Sequence, residues 1–91
     1  MKTYTIIIEY FGGTYVSQYL ASIPREAFLT AINDNMNNPE LTDFNQDLLR
    51  EIYFWLEEIG LMALDNLSNI WYFSFTYKKK SFHSHIIETV V

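Results

Sequence analysis

Cysteine does not occur in the 91 residues. Its absence removes a disulfide framework, a thiolate nucleophile and any cysteine-based zinc site, and makes a reducing, cytoplasmic setting the expected location. Glycine and proline are almost as scarce, at three and two. Basic residues are also few. Six Lys and Arg stand against eleven Asp and Glu, for a formal charge of −5 and a pI near 4.7. Nucleic-acid affinity comes largely from clustered Lys and Arg, so no nucleic-acid partner is expected. No apolar run approaches the roughly 18 residues of a membrane span, and no membrane partner is expected. The apolar start, Thr3 to Ile8, stops at Glu9 without a small-residue cleavage signal and reads as a retained strand.

Aromatic residues, by contrast, are abundant: seven Phe, seven Tyr and two Trp. With 49% of residues hydrophobic and 19% charged, the chain reads as one folded domain over residues 1–91, with a ring-rich core. Tyr4, Ile6, Ile8 and Tyr10 alternate with more polar neighbours. Gly12-Gly13 then predicts a tight hairpin turn, and a two-residue loop there pairs Tyr10 with Tyr15 and Ile8 with Ser17. The second strand runs from Thr14 to about Ala21. Pro24 opens a short helix whose apolar side is Ala27, Phe28, Ala31, Ile32 and Met36; the Asn-rich stretch from Asn33 predicts fraying.

From Pro39 to Ile59 the pattern is helical. Leu41, Phe44, Leu48, Ile52, Trp55 and Ile59 recur at steps of three and four. Two starts compete, Asn38 capping Pro39 or an Asp43/Gln46 capping box opening a helix near Phe44. Gly60 supplies the left-handed stop. Beyond it the period returns to two. Leu61–Leu64 reads as a short strand, Asp65–Asn69 as a turn, and Ile70–Lys78 as a strand with Trp71, Phe73, Phe75 and Tyr77 on one face. Lys79-Lys80 turns the chain into an extended segment from Ser81 to Val91, whose terminal strand is positioned to offer an unpaired edge to a second copy. The predicted class is α+β: an antiparallel sheet in the order β-β-α-α-β-β-β with two helices packed on one face.

No catalytic set is evident. His83 and His85 share one side of a strand but lack a third ligand, and Ser84 points away from both, so neither a metal centre nor a serine nucleophile is assigned. No catalytic residue, cofactor or metal ligand is named, and the expectation is a non-enzymatic protein. What segregates is charge. Wound as a helix, residues 39–59 bring Glu40, Asp43, Asp47, Glu51 and Glu58 to one flank with Phe54 among them. Such a row can steer a basic partner and Phe54 can anchor it, which points to a protein partner or self-association: a homodimer, or an inhibitor, immunity or antitoxin-type protein. A second reading is a small-ligand site between sheet and helices, lined by Tyr10, Tyr15, Tyr19 and Trp71.

Tyr4-Thr5-Ile6-Ile7-Ile8-Glu9, Gly13-Thr14-Tyr15-Val16 and the helix containing Glu26-Ala27 together resemble the opening hairpin and helix of HicB-type antitoxins. The resemblance covers the first third of the chain. The Pro-rich turn and Gly that usually precede that helix are missing, so no functional residue is carried over.

Overall fold

A computed structural model describes residues 1–64 and 67–89. Along the chain lie β1 (Lys2–Tyr10), β2 (Gly13–Ala21), α1 (Pro24–Met36), α2 (Gln46–Glu58), β3 (Met62–Ala63), β4 (Ile70–Tyr77) and β5 (Lys80–Thr89). The strands form one antiparallel sheet in the order β2-β1-β5-β4-β3. Both helices pack on a single face of it, α1 across β2, β1 and β5, and α2 against β4. This is the α+β arrangement that the residue pattern predicts.

Two hairpin turns differ from expectation by one residue each. The first loop is Phe11-Gly12, with φ of +53° and +78°, and Gly13 pairs with Tyr10 as the first residue of β2. Ile8 therefore faces Tyr15 and Ile6 faces Ser17, a shift of two that leaves every side chain on its predicted face. A Cβ at Gly13 would lie 2.5 Å from the Tyr15 hydroxyl, so a side chain there would displace the end of that ring. The second loop is Lys78-Lys79, with φ of +49° and +65°, closed by the pair Tyr77 and Lys80. Both loops need two residues with positive φ to match the twist of their strands. Only Gly12 of the four enters that region without a steric cost.

α1 runs unbroken through Asn33, Asp34 and Asn35 to Met36. The expected fraying does not occur, because Ala27, Phe28, Ala31 and Ile32 are buried against the sheet and tertiary packing outweighs weak local propensity. α2 starts later than either predicted start. Its cap is Asn45, whose side-chain oxygen accepts a 3.0 Å hydrogen bond from the Leu48 N–H. Residues 37–45 form successive turns, with Leu41 N–H donating to Asn38 O and Phe44 N–H to Leu41 O. Gly60 takes the predicted left-handed conformation at φ +76°.

The core lies between sheet and helices. Tyr4, Ile6, Ile8, Tyr10, Phe73, Phe75, Phe82 and Ile86 point into it from the strands, and Phe28, Phe44, Leu48, Ile52 and Leu56 close it from above. Rings interlock at centroid separations of 5.3 Å for Phe28–Phe73 and 5.1 Å for Phe75–Phe82. Leu56 replaces Ile59 at the end of the predicted stripe, for Ile59 is the C-cap and half exposed. β5 sits in the middle of the sheet between β1 and β4. The expectation that this strand offers a free edge is thereby corrected, since both its sides are hydrogen-bonded.

Candidate functional site

The acidic row divides. Asp47, Glu51, Phe54 and Glu58 remain on one flank of α2, whereas Glu40 and Asp43 lie in the turns before the helix begins. Phe54 is exposed, stacked edge-on against Trp55 at 5.0 Å. Arg50 pairs with Asp47 and Arg25 of α1 pairs with Glu57 at 2.7 Å, so the helix layer partly neutralises its own charge.

The four residues of the predicted ligand site all face the helices, where each meets different neighbours. Phe44 stands between sheet and helices, edge-on to Tyr10 at 5.8 Å and to Tyr15 at 5.2 Å. Tyr19 donates a 2.6 Å hydrogen bond to Asp34 of α1, and Trp71 packs against Tyr4. Burial and this bond to Asp34 push the Tyr19 phenol above its ordinary pKa; burial, then the nearby Tyr77 and Asp43, do the same to Tyr10.

Among the described residues, no helix packs over the opposite face of the sheet. Strand alternation sends every second residue there, and the register aligns Val16, Ile7, His85, Tyr72 and Met62 in one row across all five strands. Val16 and Met62 are exposed by 64% and 52%, and Leu20, by 67%, extends the apolar area along β2. The His83 ring is hydrogen-bonded through Nδ1 to the Tyr72 hydroxyl, and the Tyr72 ring lies 4.9 Å from that of His85. Gln18 donates to Thr5 Oγ1, which is itself 2.6 Å from Thr89 Oγ1. Among the described residues, Glu9 is the one carboxylate at an outward strand position, and no Lys or Arg occupies one.

At the turn end, this face borders a shallow depression of about 250 Å³ lined by Glu9, Phe11, Thr14, Ser81 and His83. The Lys80 ammonium lies 4.3 Å from the Phe11 ring centre. His83 and His85 share the outer face as their spacing predicts, and Ser84 points the other way, fully buried between Ile8 and Phe73. Among the described residues, no three metal-ligating side chains come together.

This face is not among the sites expected from the sequence, which follow the charge on α2 and the inward-facing rings. Its signal is present in the runs Ile6-Ile7-Ile8 and Ile86-Ile87, where uninterrupted apolar residues must place some side chains on each side of the sheet. No protein-family model, curated protein or solved structure matches the chain.

Proposed function

We propose that this chain is a non-enzymatic protein-interaction domain acting through the uncovered face of its sheet. The supporting observation is the row from Val16 to Met62. An antiparallel sheet with one wet side ordinarily alternates apolar and polar residues. Here Thr, Ser, Gln and His take most outward positions, while Val16, Ile7, Tyr72 and Met62 keep apolar groups in the row that crosses the middle. An interface core needs such a surface: apolar, aromatic and free of charges that would have to be desolvated. The four residues left on the α2 flank form a smaller second surface, where exposed Phe54 is the apolar anchor among Asp47, Glu51 and Glu58.

A photo-reactive side chain placed at Val16, and separately at Phe54, distinguishes the two in cells that naturally produce the chain. Adducts from position 16 are expected. Adducts from position 54 alone would transfer the function to the helix flank, and none from either would remove the interaction reading.

A further inference from the structure

We infer that the occupant of the uncovered face is a second copy of this chain, docked sheet to sheet about a twofold axis beside His85. This rests on the reading of that face as an interaction surface and names its partner. Three features carry it.

The first is where the charge lies. A chain of net charge −5 repels its own copy unless the meeting surfaces are nearly neutral. Glu26, Asp34, Asp47, Glu51, Glu57 and Glu58 all belong to the helices, on the far side of the sheet. Two sheets stacked face to face sit about 10 Å apart and leave their helix layers on the order of 30 Å apart, several times the ~8 Å screening length at physiological salt. Apposition by this face keeps the acidic layers farthest from one another.

The second is area. Five strands at about 4.8 Å spacing, most of them 25 to 30 Å long, present roughly 600 Å² per copy, so a dimer buries on the order of 1,200 Å². That reaches the lower end of the area buried in stable interfaces.

The third is symmetry. β5 is the middle strand of five, and His85 is the middle residue of the five-residue row. A twofold axis lying between fully overlapping sheets passes beside that position, so His85 of one copy meets His85 of the other. Around each imidazole stand Ile7 of β1 and Tyr72 of β4, with His83 on the same strand and Glu9 opposite His83. Two lysine ammoniums placed at this axis would repel one another across the interface.

Sedimentation equilibrium of the purified chain from about 5 to 500 µM tests this, a range chosen for an interface of such size. The expected result is concentration-dependent growth from 10.8 kDa to twice that mass. His85→Lys should weaken self-association at least tenfold with far-UV circular dichroism unchanged, while His85→Leu should preserve it. If His85→Lys proves unfolded, Val16→Glu places the repulsive charge on a 64% exposed edge position that the fold tolerates. A monomer throughout the range, or a His85→Lys dimer as strong as the parent, overturns the proposal. A purified monomer whose position 16 still captures a different protein in the cell leaves the interaction reading standing and sinks only the second copy as occupant.

Discussion

Replacing Lys78-Lys79 by Asn-Gly should make the protein more stable. Both lysines hold positive φ, at +49° and +65°, a region where the Cβ of an L-residue crowds the neighbouring carbonyl. That conformation costs about 1–2 kcal/mol per residue. Asparagine tolerates it at lower cost. Glycine enters freely but gives back about 0.5–1 kcal/mol through the greater entropy of its unfolded state. The net expectation is a gain of about 1 kcal/mol, which for a domain of this size raises Tm by about 5 °C. The substitution also deletes two charges and the contact of Lys78 with the Tyr77 ring, 5.2 Å from its centre. A Gln-Gln variant removes the same charges and the same contact without relieving the backbone, and is the proper reference. Thermal unfolding followed by circular dichroism measures all three proteins. An Asn-Gly variant no more stable than the Gln-Gln one would refute the left-handed geometry of this turn and, with it, the Tyr77–Lys80 register.

Two further outcomes are expected. Leu56→Ala should cost about 3 kcal/mol by opening a cavity beneath α2, whereas Phe54→Ala should stay within about 0.5 kcal/mol; equal losses in denaturant midpoint would contradict the two-sided character of that helix. Stability should also fall on the alkaline side. The folded chain retains the protons of Tyr10 and Tyr19 after the unfolded chain has begun to release them, so their contribution is complete below about pH 10 and is lost as pH rises through the raised folded values. Tyr19→Phe should flatten that decline in denaturant titrations, and an unaltered slope would show that the contact with Asp34 does not hold in solution.

How much was legible depended on the range of the interaction responsible. Alternation in Tyr4–Tyr10 and Trp71–Tyr77 identified strands and their inner faces, because side-chain parity is a local property of extended backbone. Turn placement failed by one residue at both hairpins. Gly12-Gly13 and Lys79-Lys80 were the locally plausible loops, but strand pairing selected Phe11-Gly12 and Lys78-Lys79 and accepted the strain. The residue pattern offered two starts for α2, at Asn38 and at Asp43, and the helix uses neither, taking Asn45 as its cap. With that cap Phe44 lies before the helix and packs against both Tyr10 and Tyr15. Part of the acidic row dissolved for the same reason, since Glu40 and Asp43 lie before the helix that was to align them.

Composition and periodicity were sufficient for the α+β class, the order of elements, the inward-facing rings and the sidedness of α2, since each follows from where apolar groups recur along a helix or strand. Joining the N-terminal hairpin to the C-terminal strands in one sheet, seating β5 at its centre and leaving one face uncovered required tertiary structure. These are pairings between residues as distant as Thr3 and Thr89, and no local pattern encodes which strand edge meets which. The row from Val16 to Met62 exists only through that assembly.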